Sequence, residues 1–250
     1  MCGIVGYVGR EQAAPILLEG LSKLEYRGYD SAGICVYNGT ALQVAKTKGR
    51  LQNLIDLTRG GASLPGTSGI GHTRWATHGA PSDMNSHPHM SDGGKFSVVH
   101  NGIIENYLPL KEMLEKKGMQ FRSETDTEVV ANLIEYFYTK GATFRQAVRK
   151  AVARVEGSYA LGVLCADVPG TVIGVKKDSP LIFGYGQGCN FIASDVPAIL
   201  KYTRDVVYLN DGDLLEMTAD SVTFYNTHGE VVEKKTEHVT WEISAAEKGG

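Results

Sequence analysis

Cysteine is scarce in this chain, and its spacing excludes the common cysteine motifs. The four cysteines stand at positions 2, 35, 165 and 189, with no two of them within four residues of each other. This spacing fits neither a zinc finger nor a CxxC redox pair. A folded chain of 250 residues buries roughly 70% or more of its unfolded surface and needs no disulfides for stability. We therefore expect free thiols and a cytoplasmic location.

Long apolar runs and an excess of positive charge are also missing. The longest uncharged stretch, residues 179–194, is interrupted by glycine, glutamine and asparagine, which is not typical of a membrane-spanning helix. The N-terminus has no basic segment and too short an apolar run for a signal peptide. With 25 basic and 28 acidic side chains the formal net charge is −3, whereas a dedicated nucleic-acid-binding protein has a basic surface. The sequence thus predicts neither a membrane nor a nucleic-acid partner.

The composition is that of an ordered globular domain, with 42% hydrophobic and 21% charged residues. Apolar and β-branched runs bounded by turn residues predict strands at both ends of the chain. These are residues 2–8, 31–37, 42–46, 96–104, 159–165, 171–175, 181–183, 190–193, 206–209, 213–217 and 222–225. Apolar residues at helical spacing predict helices around 17–24, 107–114, 130–137 and 148–155. Strands that flank a helical region favour a layered α+β domain over residues 1–240, with 241–250 as the start of a linker.

Two of the helix starts carry a pattern of their own. Thr125 is followed three residues later by Glu128, and Thr143 by Gln146. A hydroxyl residue followed at this spacing by Glu or Gln is typical of a capping box, in which each side chain binds the other residue's backbone N–H. We predict a capping box at both positions.

Cys2 is a candidate nucleophile because of its position. If Met1 is removed, Cys2 gains a free α-amine beside its thiol. The amine has an ordinary pKa of about 7.7–8.0 and the thiol one of about 8.5, so the amine can accept the thiol proton, directly or through a water. This is the N-terminal form of nucleophile activation. The alternative is that Cys2 is a small hydrophobic residue that opens a strand.

Asn101 and Gly102 follow an apolar run and allow two interpretations. An Asn-Gly pair is the strongest short signal for a hairpin turn, and from the pair alone the turn is favoured. The same pair also suits the stabilisation of an oxyanion, because asparagine brings an amide donor and glycine lets the backbone approach a ligand closely.

A group of histidines and a glycine-rich segment could suggest a metal site and a phosphate-binding loop, but their spacing favours neither. Five histidines lie close together in sequence, at positions 72, 78, 87, 89 and 100. They lack HExxH or another metal-ligand spacing, so we predict hydrogen-bonded pocket and loop histidines rather than a metal site. The glycine-rich segment 184–188 lacks the lysine and the following helix of a phosphate-binding loop. We predict a turn between strands there.

Several segments together resemble one enzyme family. They are MCGIVGYVG at the N-terminus, LEYRGYDSAGI at 24–34, GIGHTRWATHG at 69–79, HNGIIEN at 100–106 and SETDTE at 123–128. In combination they resemble the glutamine amidotransferases of the N-terminal-nucleophile hydrolase superfamily, over nearly all of the chain. Related amidotransferases share the Cys-Gly-Ile start and an Arg-Gly pair, whereas segment 26–33 is typical of members that aminate a sugar phosphate.

The resemblance implies a fold and a reaction. The fold is a four-layer αββα sandwich with two antiparallel sheets between helical layers. The reaction is the hydrolysis of glutamine to glutamate and ammonia through a glutamyl thioester on Cys2, without a cofactor or a metal. In the full-length enzyme, expected to be a homo-oligomer, the ammonia passes to a sugar-phosphate isomerase half. That half converts fructose 6-phosphate to glucosamine 6-phosphate and lies outside these 250 residues.

The resemblance also implies roles for individual residues. Cys2 is the nucleophile, and the Asn101 amide and Gly102 N–H hold the oxyanion. Arg74 binds the α-carboxylate of glutamine, in keeping with the bidentate match between guanidinium and carboxylate. Asp126 faces the α-ammonium. An acidic residue at a helix start is also favourable without any function, so that alternative for Asp126 stays open.

The rest of the implied site is supporting. Trp75, Thr77 and His78 complete the wall of the glutamine pocket, although Trp75 and Thr77 also suit strand or loop packing. Arg27 is expected near the active site, where it orders the first strand.

Two rival functions remain. One is another amidotransferase of the same superfamily, such as a purine-pathway or asparagine-forming enzyme, against which segment 26–33 argues. The other is a non-catalytic domain that only binds glutamine. Retention of Met1 favours it, because a peptide bond at Cys2 removes the amine.

Overall fold

A computed structural model describes residues 2–27, 29–75 and 79–240, without the side chain of Arg27. The α-helices in this part of the chain are α1 Ala13–Ser22, α2 Leu51–Leu57, α3 Tyr107–Glu115, α4 Thr127–Thr139 and α5 Phe144–Val152. The predicted capping box of α5 is confirmed, since the Thr143 and Gln146 side chains each accept from the other's backbone N–H. Helix α2 was not predicted. The proposed linker 241–250 lies outside the described residues.

Strands make up most of the remaining structure. They are β1 Gly3–Val8, β2 Ser31–Tyr37, β3 Leu42–Lys48, β4 Ser68–Arg74, β5 His89–Met90, β6 Phe96–Ile104, β7 Gly157–Cys165, β8 Val172–Lys177, β9 Ile182–Tyr185, β10 Asn190–Ala193, β11 Asp205–Tyr208, β12 Leu214–Met217, β13 Val222–Tyr225, β14 Val231–Val232 and β15 Glu237–His238. Each of the predicted strands is present, and 31–37, 96–104, 190–193 and 222–225 match to the residue. The glycine-rich segment 184–188 falls at the β9–β10 turn, as predicted.

The strands form two antiparallel sheets. The first has the order β15-β11-β9-β10-β1-β4-β2-β3, and the second the order β14-β13-β12-β8-β7-β6-β5. Helices α1 and α2 pack on the outer face of the first sheet through a core that includes Leu17, Leu21 and Leu54. Helices α3, α4 and α5 pack on the outer face of the second sheet through Leu133, Val148 and their neighbours. The predicted αββα sandwich is confirmed.

A third core lies between the two sheets and contains Ile4, Ile70, Val99 and Ile192. The sheets approach closely around Ile192, a fully buried residue of β10. A Cβ atom on Gly162 of the second sheet would lie 3.1 Å from Ile192 Cδ1, tighter than most real contacts. Glycine at this position therefore makes room for the isoleucine and sets the distance between the layers.

None of the helices in the described ranges is long and apolar enough to cross a membrane.

We expect Ile192→Ala to lower the free energy of unfolding by about 2–5 kcal/mol, because it leaves a cavity in a close-packed layer. Val231→Ala is the control, since Val231 is a β-branched strand residue with an exposed fraction of 68% and its loss should change stability by less than about 0.5 kcal/mol. Equilibrium urea unfolding measures both. Equal effects of the two substitutions would contradict this account of the inter-sheet core.

Candidate active site

A cavity of about 510 Å³ opens where β1, β4 and β6 meet the start of α4. Its walls come from both sheets and from loops that follow β4 and β8. The lining residues are Cys2, Arg74, Trp75, His87, His100, Asn101, Gly102, Ile103, Thr125, Asp126, Thr127, Ser158, Ser179 and Pro180. The fold thus brings together six residues of the site predicted from sequence, namely Cys2, Arg74, Trp75, Asn101, Gly102 and Asp126.

Cys2 lies beside the end of β4 because of strand register. Gly3 of β1 pairs with Thr73 of β4, so the chain before β1 meets the residues after Thr73. The Trp75 N–H donates to Cys2 Sγ at 3.1 Å, and Sγ lies 3.5 Å from the Trp75 carbonyl oxygen. Burial raises the pKa of the Cys2 thiol, although the hydrogen bond from Trp75 acts in the opposite direction. A thiol with a raised pKa is protonated at neutral pH, so it needs a base before it can attack a carbonyl.

The other cysteines are placed differently. Cys35 is fully buried, and burial raises the pKa of its thiol to about 12. Cys165 is buried in the core beneath α3, α4 and α5, and Cys189 is half-buried. Of these four free thiols, Cys2 is the one that lines the cavity.

Asn101 and Gly102 belong to strand β6, so the hairpin-turn interpretation is wrong. They pair with Ala160 and Tyr159 of β7 in continuous antiparallel register. The Asn101 side-chain amide donates to the Cys2 carbonyl oxygen at 3.0 Å. Gly102 has a φ of 126°, which L-residues with a Cβ rarely adopt, and a Cβ there would collide with the Ser158 carbonyl oxygen. Glycine at this position keeps the strand against its neighbour while its backbone lines the cavity.

Arg74 ends β4 with its side chain only 4% exposed. The guanidinium lies 3.8 Å from the Asp30 carboxylate and donates to the Gly79 carbonyl oxygen at 3.0 Å. These contacts fix a buried positive charge at the wall of the cavity, where it can pair with an anionic group of a ligand.

Asp126 is the residue before α4, but its side chain does not cap the helix. It accepts instead from the Ile104 N–H of β6 at 2.8 Å. A buried carboxylate therefore stands at the cavity between the helix start and the strand. Its proximity to the positive end of the helix dipole remains favourable, so the two interpretations of Asp126 are compatible.

The capping box predicted for Thr125 and Glu128 is wrong. The Glu128 carboxylate accepts from the N–H groups of Arg122 and Ser123, at 2.8 and 2.6 Å. The Thr125 hydroxyl lies within hydrogen-bond distance of His89 Nε2 and of the Ser123 hydroxyl. Both side chains thus organise the loop before the helix, and the helix begins one residue later than the pattern predicts.

The remaining predicted site residues are only partly described. Trp75 stands at the rim with an exposed fraction of 56%, so it is not packed into the core as a strand residue would be. Thr77 and His78 lie outside the described residues. Arg27 is in a short 3-10 helix, Glu25–Arg27, and its side chain is likewise outside the described part.

Four buried histidines form a cluster at the wall of the cavity, which two of them, His87 and His100, line directly. His87 stacks on His72 with ring centroids 4.1 Å apart, and it contacts His89 edge-on at 4.8 Å. His100 Nδ1 lies 2.9 Å from the Thr127 hydroxyl. Burial lowers the pKa of His72 to about 3 and those of His87 and His89 well below the ordinary 6.5. Within the described ranges, no group of three or more His, Cys, Asp or Glu side chains is arranged to hold a metal ion.

The segment that carries His87 is fixed by a half-buried lysine. Lys46 Nζ donates to the carbonyl oxygens of Ser86, Met84 and Pro88 at 2.8, 3.1 and 3.3 Å. Burial lowers the pKa of Lys46 to about 8. The segment also crosses β2 at Gly33, where a Cβ would collide with the His87 carbonyl oxygen. Sequence reasoning did not find this lysine, because its acceptors are backbone groups that leave no side-chain pattern.

Several cavity residues were also missed. Thr127, Ser158 and Ser179 line the cavity, yet they come from a helix start, a strand start and a loop that are far apart in sequence. Each is a small polar residue at an ordinary position, and only the tertiary fold brings them together.

The four layers and the cysteine before a central strand fit the N-terminal-nucleophile amidotransferases, and comparisons with known proteins identify this class. Residues 72–201 match a model described as a glutamine amidotransferase domain. The chain is 57% identical over its full length to a glutamine–fructose-6-phosphate aminotransferase (isomerizing) of Caldanaerobacter subterraneus, and 54% identical to one of Clostridium acetobutylicum. It spans 41% of the length of each of these curated relatives.

A solved structure agrees with these sequence comparisons. Glutamine phosphoribosylpyrophosphate amidotransferase of B. subtilis superposes with a TM-score of 0.78 at 25% identity, over 92% of this chain and 50% of that one. The chain belongs to the glutamine amidotransferase domain family.

The buried histidines predict how stability depends on pH. Their pKa values are lower in the folded than in the unfolded state, so below about pH 6.5 the unfolded chain binds more protons and stability falls as the pH falls. Each such histidine contributes a slope of up to about 1.4 kcal/mol per pH unit. We expect urea unfolding between pH 7.5 and 5.0 to show this loss.

The same measurement on His89→Gln should give a smaller dependence of the unfolding free energy on pH. The slope should fall by up to about 1.4 kcal/mol per pH unit, the contribution of one proton. The exposed His228 provides the matched control, and His228→Gln should leave the slope unchanged. Identical slopes for wild type and His89→Gln would show that His89 does not stay neutral in the folded state.

Proposed function

We propose that this chain hydrolyses the side-chain amide of glutamine, with Cys2 as the nucleophile. The observation that carries the proposal is the set of groups around one cavity: a thiol, an amide donor beside it, a buried guanidinium and a buried carboxylate. Nucleophile, oxyanion donor and two charges of opposite sign are the parts that hydrolysis of an amino-acid amide requires.

The reaction begins when the thiol gives up its proton. Removal of Met1 leaves an α-amine on Cys2 whose pKa is close to neutral pH, and this amine takes the proton. The Cys2 sulfur then attacks the amide carbon, the carbon–nitrogen bond breaks, and ammonia leaves with the proton returned by the amine. Water attacks the resulting thioester, which releases glutamate and restores the thiol.

The oxyanion that forms during attack needs hydrogen-bond donors. An asparagine NH₂ carries two hydrogens. One hydrogen of Asn101 is directed at the Cys2 carbonyl oxygen, and the other serves the oxyanion together with the Gly102 N–H. Donors that are fixed before the substrate arrives are the most effective in the transition state.

The two buried charges select the amino-acid end of glutamine. Arg74 pairs with the α-carboxylate and Asp126 with the α-ammonium. The Ile104 N–H holds one Asp126 carboxylate oxygen, so the other oxygen faces the ligand. We assign Trp75, Thr77 and His78 to the rest of the pocket wall and Arg27 to the support of β1.

The identity of the relatives suggests what becomes of the ammonia. They are named for the amination of fructose 6-phosphate and share more than half of their aligned residues with this chain, whereas the superposed phosphoribosylpyrophosphate amidotransferase shares a quarter. We therefore propose that the chain works beside a sugar-phosphate isomerase half that makes glucosamine 6-phosphate, in a homo-oligomeric cytoplasmic enzyme.

Cys2→Ala should abolish glutamine hydrolysis, because no other described residue of the cavity offers a thiol. The matched control is Cys189→Ala, since Cys189 is half-buried like Cys2 and lies outside the cavity; it should retain wild-type turnover. A coupled glutamate assay measures both, after mass analysis of the N-terminus has established that Met1 is absent. Turnover of Cys2→Ala within a few-fold of wild type would rule out Cys2 as the nucleophile, and glutamine binding without turnover in the processed wild type would favour a non-catalytic binding domain.

Substitutions at the charged and donor residues should separate binding from chemistry. Arg74→Ala and Asp126→Asn each leave one substrate charge unpaired, typically a loss of about 2–5 kcal/mol, so KM should rise strongly, with some loss of kcat. Asn101→Ala should lower kcat by roughly 10²–10³ with a smaller change in KM. Steady-state glutamine kinetics measure these effects.

Arg10→Ala is the matched control for the loss of a guanidinium, since Arg10 is exposed on the surface and its removal should leave both constants unchanged. An unchanged KM for Asp126→Asn would reduce Asp126 to a helix-start residue. A rise in KM alone for Asn101→Ala would place the oxyanion donors elsewhere.

A further inference from the structure

A chain of hydrogen bonds runs from the backbone of β6 through His72 to Cys2. His72 Nε2 lies 2.9 Å from the His100 carbonyl oxygen and 2.9 Å from Asn101 Oδ1. Asn101 Nδ2 in turn donates to the Cys2 carbonyl oxygen at 3.0 Å. His72 is on β4 and Asn101 on β6, so this chain crosses from one sheet to the other directly behind the cavity.

The chain of hydrogen bonds ends at two carbonyl groups, those of His100 and Cys2, and these fix the direction of every hydrogen bond in it. A carbonyl oxygen only accepts, so His72 Nε2 must carry the hydrogen that is directed at the His100 oxygen. That N–H also faces Asn101 Oδ1, which identifies this side of the amide as the oxygen. The opposite side is the NH₂ group, as the Cys2 carbonyl oxygen independently requires. A flipped amide would place two donors face to face at His72 and two acceptors face to face at Cys2.

The rest of the surroundings hold the imidazole neutral and in place. His72 is 1% exposed and stacks on His87 with an angle of 15° between the rings. Its Nδ1 atom has no hydrogen-bond partner among the described residues. A nitrogen without a hydrogen tolerates this environment, whereas a hydrogen on Nδ1 would be a buried donor with no acceptor. The neutral ring with its hydrogen on Nε2 is therefore the form that fits the site.

We propose that His72 is a positioning residue for the oxyanion donor: its Nε2–H holds Asn101 Oδ1, so that the amide presents its NH₂ group to Cys2 and to the reacting carbonyl. The proposal rests on the proposed glutamine hydrolysis. His72 does not line the cavity and acts through Asn101. Without this donor, only the hydrogen bond to the Cys2 carbonyl oxygen orients the amide, and its NH₂ group is held less firmly.

Kinetics of glutamine hydrolysis test the role. His72→Leu removes the donor and should lower kcat by about 10–100-fold with KM within about three-fold, somewhat less than the loss of the oxyanion donor itself. His72→Gln places an amide N–H at similar reach and should recover kcat to within a few-fold of wild type. The matched control is Asn190→Leu, which removes a buried polar side chain from the same sheet outside the cavity and should retain wild-type kcat. Thermal unfolding identifies any variant that fails to fold.

A double-mutant cycle separates positioning from a structural role. In an Asn101→Ala background the amide is absent, so His72→Leu should cause no further loss of kcat. Losses that multiply in the double variant, or an unchanged kcat in His72→Leu, would overturn the proposal. An inactive wild type would instead contradict the proposed function.

The proton position is measurable in the wild-type protein without any activity. Long-range ¹H–¹⁵N spectra of the histidine rings should show His72 neutral, with its hydrogen on Nε2. A hydrogen on Nδ1 would reverse the direction of the hydrogen bonds and overturn the proposal, whether or not the protein hydrolyses glutamine.

Discussion

The antiparallel register of β1 with β4 is the constraint on which the site depends. Strand β1 is hydrogen-bonded on both sides, to β4 and β10, and it is buried along its whole length. A shift of one residue would turn Ile4 from the inter-sheet core toward the helices, so packing holds the register firmly. That register sets Cys2 against Trp75 and next to the buried Arg74.

The second requirement of the site is a stack of imidazoles that must stay neutral. Burial of His72, His87 and His89 removes them from water, and the neighbouring histidines further oppose protonation of His87. The stack occupies the space between Lys46, which fixes the backbone around His87, and Asn101. The neutral histidines therefore make the protein less stable in acid. They also form a rigid polar layer beside the cavity, and flexible side chains in their place would leave the amide of Asn101 less well oriented.

Much of the fold can be predicted from patterns within single segments of the sequence. The site cannot, because its residues come from segments that meet only in the folded protein. Strands β10 and β13 were predicted to the residue because turn residues bound their apolar runs. Helix α2 was missed because it has only seven residues, too few for a clear apolar period. The capping box before α4 and the hairpin at Asn101 were wrong, because tertiary contacts outweigh local preferences. Glu128 binds the backbone of the preceding loop, and Asn101 pairs with strand β7.

The site residues illustrate the same limit. From the residues alone Cys2 had an N-terminal position and Asn101 a turn signal, and only the resemblance to known amidotransferases linked them to Arg74 and Asp126. Ser158 and Ser179 were outside any motif, and Thr127 stood within segment 123–128 without an assigned role, because their common feature is a place in the folded cavity. A periodic pattern reports which face of a strand is buried, but it does not report which strand ends meet.

The central position of β1 also has a consequence for how the chain folds during synthesis. One neighbour of β1 is β10, which begins at Asn190. At the ordinary pace of about 5–20 residues per second, about 10–40 s separate the emergence of the two strands from the ribosome. During this interval one edge of an apolar strand is exposed, and it is open to pairing with other chains. The part of the cavity around Cys2 therefore depends on a late partner, and nascent chains interrupted before Asn190 should be the ones that associate wrongly.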